Sequence, residues 1–351
     1  MKVFCGYEQV EMISVINDFL SIKTKNVFSY ILKFWQPSAY YITIPNAGQF
    51  SPIISNAINR AMQLYGGVGK IEEYVRKGYK GEDTQIRFIV FNSVGSPTLF
   101  VMISVPKHPI TVLVAADCAI SVRERLGVTL GSCVLAPLEV GIADGAYFAI
   151  SPYCFPRNRW EIYRQRKQLL TWLNEVVRHT AVDSLPEEIE HQFIQPLLAL
   201  SQYSDLPDPI MALVQQAIIE LKTEHWRPRL SLAHNDLHRG NILLSPKEGK
   251  YLYPFMITDW GGLRLTGNSI NDLIHLAQDL KLSPLQIAPY LKVHCEVLEC
   301  NPLIVKNYLF SSFSVFLLNP EICPYPDIAI ALSKNLDFLE LAVVKVLEMI
   351  V

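Results

Sequence analysis

The feature that most constrains this chain is a β-like island set inside a helical half of the sequence. Residues 231–244, SLAHNDLHRGNILL, place two histidines, an aspartate, an arginine and an asparagine before an apolar run. The turn-rich PKEGKY and a second apolar run, YPFMITD, follow, and this pattern predicts two short strands joined by a turn. Such a hairpin would bring Asp236 and Asn241 to the edge at which Asp259 ends the second strand.

The sequence around this island is helical from residue 157 to the C-terminus. The segments RWEIYRQRKQLLTWLNEVVRHT, PEEIEHQFIQPLLALSQ, DPIMALVQQAIIELKTEH and SINDLIHLAQDL repeat apolar residues at intervals of three and four. That spacing is typical of amphipathic helices. We therefore expect a helical domain over residues 157–351.

Residues 85–156 have the pattern of a β domain. Five apolar, β-branched runs are separated by Gly and Pro: IRFIVFN, TLFVMISV, ITVLVAA, CVLAPLEVG and YFAISPYCF. They predict a mostly antiparallel sheet, with one short helix, DCAISVRERLG, between the third and fourth strands. Residues 1–84 predict a helix, strand, helix extension that packs on this domain. The expected fold class is therefore α+β, with a small antiparallel lobe, a hinge near residues 151–156 and a larger helical lobe.

Composition excludes several classes of protein. A chain of 351 residues is long enough for two domains, and 31 Lys+Arg against 33 Asp+Glu argue against a nucleic-acid partner that needs clustered cations. The seven cysteines form no CxxC pair, so neither a disulfide framework nor a zinc ribbon is indicated. The start of the sequence is unlike a signal peptide and no apolar run is long enough to span a membrane, so we expect a cytoplasmic protein.

The three oxygen-bearing side chains suit one kind of chemistry. Phosphoryl transfer from a magnesium nucleotide requires the protein to hold metal ions against the phosphates and to orient the attacking hydroxyl. Because Mg²⁺ prefers oxygen ligands and takes only one or two from the protein, Asn241 and Asp259 are suitable metal ligands. Asp236 is then available as the catalytic base.

The segments HNDLHRGNILL and ITDW resemble the catalytic loop and metal-binding aspartate of the aminoglycoside phosphotransferase and choline kinase superfamily, usually close to HGDLHPGNIL and IDW or IDF. The resemblance is specific over residues 232–280. It implies a bilobal, protein kinase-like fold, Asp236 as catalytic base, and Asn241 and Asp259 as Mg²⁺ ligands. It also implies that His234 and His238 shape the loop or face the phosphates, and that Asp272 supports the loop.

The sequence departs from this family at three places. Asn235 stands where a Gly is common, and Arg239 where a Pro is common. A kinase of this type also carries a lysine on the third strand of its small lobe, paired with an acid on the following helix. If FVMISVPKHP is that strand, the lysine position falls on Ser104, with Lys107 three residues later; if ITVLVAAD is the strand, the position is aliphatic. The partner acid is either Asp117 or Glu124.

Two functions follow from this pattern. The first is an ATP- and Mg²⁺-dependent phosphotransferase acting on a hydroxyl of a small molecule such as a sugar or an amino alcohol, because no long activation segment follows Asp259. The second is a catalytically impaired relative that acts as a binding or scaffold protein, because the small lobe offers no clear lysine.

Overall fold

The structure is a computed structural model. It describes residues 39–43, 57, 59–61, 63, 68–76, 85–92, 96–104, 108, 110–143, 145–155, 159–245, 252–318 and 327–350. The helix expected near residues 8–22 and the candidate cation Lys107 lie outside the described residues.

A six-stranded antiparallel sheet forms the first part of the chain, in the order β1-β2-β3-β4-β6-β5. Every neighbouring pair in it is antiparallel. Its strands are β1 (Ala39–Thr43), β2 (Val68–Arg76), β3 (Gln85–Asn92), β4 (Pro97–Ser104), β5 (Glu139–Ala143) and β6 (Ala146–Pro152). A mostly antiparallel sheet in this part of the chain is thus confirmed; β1 matches the strand expected within residues 1–84, and β2 is a strand that was not predicted.

The run ITVLVAA, predicted as a strand, is instead the first part of helix α1 (Thr111–Leu130). The side chains that α1 buries, Val112, Ala116, Ala119, Val122 and Leu126, recur at intervals of three and four. That spacing makes a continuous apolar stripe only on a helix. The packing of this apolar stripe therefore outweighs the strand preference of the β-branched residues. The strand that precedes α1 in the chain is β4.

Each face of β4 packs against a different partner. Leu99, Val101 and Ile103 lie in a cluster with side chains of β3 and β6 and with the helical residues Ala57 and Ala61. On the opposite face, Met102 packs against a small cluster formed by Val112, Ala116 and Ala149. The strand alternation therefore directs Met102 to the side of the sheet that α1 covers.

The predicted hairpin is confirmed as β9 (Ile242–Leu244) and β10 (Phe255–Ile257), which pair antiparallel. The backbone N–H of Leu244 donates to the carbonyl of Phe155 at 2.8 Å, and the N–H of Leu135 donates to the carbonyl of Ile257 at 2.9 Å. These bonds tie the hairpin to the segments beside β6 and after α1, so Asp259 follows a hairpin in which each strand is bonded to a neighbouring segment.

The rest of the chain is helical around a three-stranded sheet of order β11-β8-β7. Its strands are β7 (Val182–Asp183), β8 (Arg229–Ala233) and β11 (Arg264–Gly267). The helices are α2 (Arg159–Thr180), α3 (Pro186–Ile189), a π-helical turn (Glu190–Ile194), α4 (Gln195–Leu200), α5 (Asp208–Lys222), α6 (Ser269–Asp279), α7 (Pro284–Val297), α8 (Lys306–Leu318) and α9 (Ile328–Glu348). Short 3₁₀ turns lie at Gly131–Cys133, Arg239–Asn241 and Trp260–Gly262. The predicted helices after residue 157 are confirmed.

The chain divides into two compact units. The first unit contains residues 1–162 and 242–261, and the second contains residues 163–241 and 262–351. The β9–β10 hairpin therefore belongs to the unit that holds the six-stranded sheet. The predicted fold class, α+β with a small antiparallel sheet and a larger helical part, is confirmed, whereas the predicted domain boundaries stay predictions.

No helix in the part of the chain that the structure describes combines the length and apolar character needed to cross a membrane.

We expect Tyr308 to stabilise the strand that leads into the predicted catalytic loop. Its buried hydroxyl accepts a hydrogen bond from the N–H of Arg229 at 3.0 Å and donates one to the carbonyl of Arg229 at 3.1 Å. Tyr308→Phe removes both hydrogen bonds between the tyrosine hydroxyl and the Arg229 backbone, and it should lower the free energy of unfolding by about 1–3 kcal/mol. Urea unfolding measures the loss. The exposed Tyr163→Phe is the control, and equal midpoints for the two variants would contradict the assignment.

Candidate functional site

The loop after β8 is held by one buried carboxylate. Asp272 on α6 accepts hydrogen bonds from the backbone N–H groups of His234 at 2.6 Å and Asn235 at 2.9 Å. Its side chain is buried, as is that of His234. Both oxygens of Asp272 thus accept hydrogen bonds that fix the turn before Asp236.

The structure gives a physical reason for Asn235 where the resembled family commonly has Gly. Asn235 has a φ of +64°, in the left-handed region that Gly adopts most easily and that Asn tolerates better than most residues. Its Nδ2 also donates to the carbonyl of Gly262 at 2.7 Å. The asparagine therefore keeps the turn and adds a bond to the segment before β11.

Arg239 replaces the common Pro in a comparable way. Its backbone N–H, which a proline lacks, donates to Oδ2 of Asp279 at 2.6 Å. Its Nε also lies 3.3 Å from Oδ1 of the same carboxylate. Where a proline would restrict the loop by its ring, this chain restricts it by two contacts to the end of α6.

The carboxylate of Asp236 is half-exposed, and three groups surround it. Asn241 Nδ2 donates to Oδ2 of Asp236 at 3.2 Å and to its backbone carbonyl at 2.9 Å, while His238 Nε2 lies 3.6 Å from Oδ2. Partial burial opposes ionisation, but the interactions with His238 and His234 and the Asn241 hydrogen bond together hold the pKa of Asp236 below its ordinary value. Asp236 is therefore ionised at neutral pH and able to accept a proton.

The amide of Asn241 is oriented by the same contacts. Because its NH₂ group donates to Asp236, Oδ1 is the side-chain atom that can ligate a cation. Asn241 is 7% exposed and closes the 3₁₀ turn Arg239–Asn241. An oxygen fixed in this way is a suitable ligand for Mg²⁺, which demands near-octahedral geometry.

Asp259 belongs to the first unit, whereas Asp236 and Asn241 belong to the second. It follows β10, has a φ of +64° and is exposed. Its neighbour Trp260 is buried, and the indole Nε1 donates to the carbonyl of Ile257 at 3.0 Å. The indole thus fixes the end of β10, next to Asp259 in the sequence.

The cavity beside Asp259 is apolar on the side formed by β4 and α1. Asp259 borders a cavity of about 50 Å³ whose lining on β4 and α1 consists of Phe100, Met102, Ala116 and Ala119. None of the described residues that line this cavity is a lysine or an arginine. The described lining therefore offers no cation beside Asp259.

The other cofactor-binding candidates lie elsewhere. Ser104 is buried at the end of β4, and its hydroxyl donates to the carbonyl of Tyr147 at 3.2 Å and accepts from the N–H of Tyr147 at 3.0 Å, so it serves the β4–β6 pairing. Asp117 and Glu124 are exposed on α1, away from the buried stripe. Lys107 lies outside the described residues.

His275 is a residue of this site that the sequence did not single out. Burial lowers its pKa, the charge of Asp236 opposes this, and smaller effects come from His238, which lowers the pKa, and from Asp279, which raises it. Its ring centroid lies 6.2 Å from that of His238. Its position three residues after Asp272 on α6 was the available signal, because residues at that spacing share one face of a helix.

The segment VHCEVLEC contains one histidine and two cysteines that are core residues. His294, Cys295 and Cys300 are buried in the second unit, in or just after α7. Among the described residues, no group of three or more His, Cys, Asp or Glu is arranged to hold a metal ion.

Comparison with known proteins gives matches only among solved structures. No protein-family model matches the chain, and no curated protein does. Choline kinase LicA from Streptococcus pneumoniae aligns with a TM-score of 0.47 and 11% identity over 80% of this chain and 96% of its own. Plasmodium vivax ethanolamine kinase aligns with a TM-score of 0.43 and 12% identity over 93% of this chain and 92% of its own. A structure of LicA in complex with AMP aligns with a TM-score of 0.43 and 11% identity, with the same coverage as LicA.

We expect stability to fall between about pH 4 and pH 7 through Asp272. Burial raises the pKa of Asp272 to about 7 from an ordinary 3.8, although the two backbone N–H groups oppose the rise. The folded state therefore binds a proton that the unfolded state has released, and this contribution is complete below pH 3.8 and lost as the pH rises through 7. Urea midpoints from pH 4 to pH 8 measure the trend.

Asp272→Asn tests the assignment, because an asparagine cannot ionise and offers one acceptor oxygen in place of two. We expect the variant to be less stable than the wild type by about 1–3 kcal/mol at pH 5 and to have a smaller dependence on pH. Asp205→Asn, at an exposed carboxylate, is the matched control. An unchanged pH dependence in Asp272→Asn would contradict the raised pKa.

Proposed function

We propose that this protein is an ATP- and Mg²⁺-dependent phosphotransferase that moves the γ-phosphoryl group to a hydroxyl of a small molecule. Asp236 accepts the proton of the attacking hydroxyl, or orients it, and Asn241 and Asp259 provide oxygen ligands for Mg²⁺. The sugars and amino alcohols expected from the sequence are the acceptor classes to test first.

The observation that carries this proposal is the environment of Asp236. An ionised carboxylate is half-exposed on a loop that Asp272 holds by its backbone, and a hydrogen bond from Asn241 fixes its orientation. A turn residue with a purely structural role uses its carboxylate for backbone contacts. The Asp236 contacts instead leave part of the carboxylate open to solvent, where a hydroxyl can approach.

The segment after Asp259 supports a small acceptor. A single 3₁₀ turn, Trp260–Gly262, leads into β11 (Arg264–Gly267) and then into α6. Protein kinases insert a long activation segment at the corresponding place, and that segment helps to organise their substrates. The short connection offers no such element for a polypeptide substrate.

A catalytically silent binding protein is the second candidate, and the cavity beside Asp259 favours it. The family lysine would contact the α and β phosphates, whereas Met102, Ala116 and Ala119 offer no charge. A cavity of about 50 Å³ is also smaller than the roughly 300–1,000 Å³ of usual ligand pockets. Under this alternative the catalytic loop is retained as a folded element without turnover.

Nucleotide binding separates the two candidates. For the phosphotransferase we expect millimolar ATP with Mg²⁺ to raise the melting temperature, because a ligand that binds only the native state stabilises it. ATP with EDTA should give a much smaller shift, since no lysine is present in the described cavity lining to replace the metal. Absence of any shift with Mg²⁺ and ATP would favour the silent protein.

Asp236→Ala tests the role of the base. We expect it to retain the Mg²⁺- and ATP-dependent thermal shift and to lose at least about a hundredfold in kcat with the best acceptor, because general-base catalysis contributes that much. Asp259→Asn should weaken the thermal shift itself by removing a charged metal ligand. The exposed Asp205→Asn is the control for both, and full activity of Asp236→Ala would contradict the mechanism.

A further inference from the structure

The loop contains two histidines in the same local arrangement. The N–H of Asp236 donates to Nδ1 of His234 at 3.3 Å, and the N–H of Gly240 donates to Nδ1 of His238 at 2.9 Å. In each case the donor is the backbone amide two residues later. The His238 bond is the shorter, and His238 is the one whose ring also approaches the carboxylate of Asp236.

The Gly240 bond determines which nitrogen of His238 carries the proton. A backbone amide can only donate, so Nδ1 of His238 must accept through its lone pair. In the neutral imidazole the proton therefore resides on Nε2. That is the atom 3.6 Å from Oδ2 of Asp236, so the ring presents an N–H to the carboxylate.

Gly240 is also required for this placement by its size. A Cβ built on Gly240 would lie 2.5 Å from Cε1 and 2.8 Å from Nδ1 of His238, and non-bonded contacts of a Cβ atom are essentially never this short. The absence of a side chain at 240 thus allows the imidazole to lie against the backbone with Nε2 directed towards Asp236. The loop backbone therefore contributes to the orientation of the ring.

From these contacts we infer that His238 is a positioning residue for the catalytic carboxylate: its neutral ring, fixed by the Gly240 amide, directs the Nε2–H at Oδ2 of Asp236, 3.6 Å away, and by this electrostatic attraction holds the carboxylate beside Asn241. Asn241 donates a hydrogen bond to the same Oδ2, at 3.2 Å. Two N–H groups directed at one oxygen leave Oδ1 of Asp236 as the atom that accepts the proton of the substrate hydroxyl. The kinetic part of this inference rests on the proposed phosphotransferase function.

Two substitutions of His238 distinguish the role of Nε2 from the role of Nδ1. His238→Gln keeps an amide donor near the position of Nε2, whereas His238→Asn keeps an acceptor at the position of Nδ1 and has no donor near Asp236. We expect kcat to stay within about threefold of the wild type in His238→Gln and to fall about tenfold or more in His238→Asn, with the KM for ATP unchanged. The exposed His191→Gln is the control and should match the wild type.

A spectroscopic measurement tests the contact between His238 and Asp236 and does not require the protein to be catalytically active. In protein labelled with ¹⁵N-histidine, His238 is assigned by the signal that His238→Gln removes. We expect the Nε2–H tautomer, and we expect Asp236→Ala to shift that Nε2–H resonance. Thermal unfolding of each variant confirms that the chain remains folded.

The outcomes are distinguishable. An Nδ1–H tautomer, or equal kcat values in His238→Gln and His238→Asn, overturns the positioning role. If the wild type turns over no acceptor, the proposed function fails, and the tautomer together with the Asp236→Ala shift still decides whether the Nε2–H of His238 is directed at Asp236. An Nε2–H signal that Asp236→Ala leaves unmoved also overturns the inference.

Discussion

The candidate site depends on one buried carboxylate that accepts two backbone N–H groups. Asp272 uses both oxygens on consecutive amides of the loop, and this fixes the direction in which the chain leaves β8. The positions of the Asp236 carboxylate, the Asn241 amide and the His238 ring all depend on this course of the loop backbone. This arrangement requires the burial of an acidic group, which is unfavourable for the charged form and raises the pKa of Asp272.

The two units contribute different groups to the proposed site. The loop of the second unit has an oriented carboxylate, an amide oxygen and two histidines placed by backbone amides. In the first unit, Asp259 stands at the end of a well-tied hairpin, but the described cavity beside it is lined by methionine, phenylalanine and alanine rather than by a cation. Under the proposed phosphotransferase function, bound Mg²⁺ would supply positive charge to the nucleotide phosphates, because the described lining of this cavity contains no lysine or arginine.

The sequence predicted the hairpin, the helical second half and the loop residues, because each rests on a local pattern. Strand alternation, helical spacing and a five-residue interval between Asp236 and Asn241 do not depend on distant contacts. ITVLVAA was predicted wrongly because its β-branched residues favour a strand in isolation, whereas burial against Met102 and Ala149 favours a helix. His275 was missed for a related reason, since its proximity to Asp236 and His238 arises only from the packing of α6 against the loop.

Arg239 and Asp279 have a consequence for how this loop can change. A proline at position 239 would remove the amide that donates to Asp279, together with the guanidinium that lies beside it. The partly buried Asp279 carboxylate would then lose two favourable contacts at once. The substitution Arg239→Pro would therefore be unfavourable unless Asp279 changed first. The two positions thus constrain the order in which substitutions can accumulate.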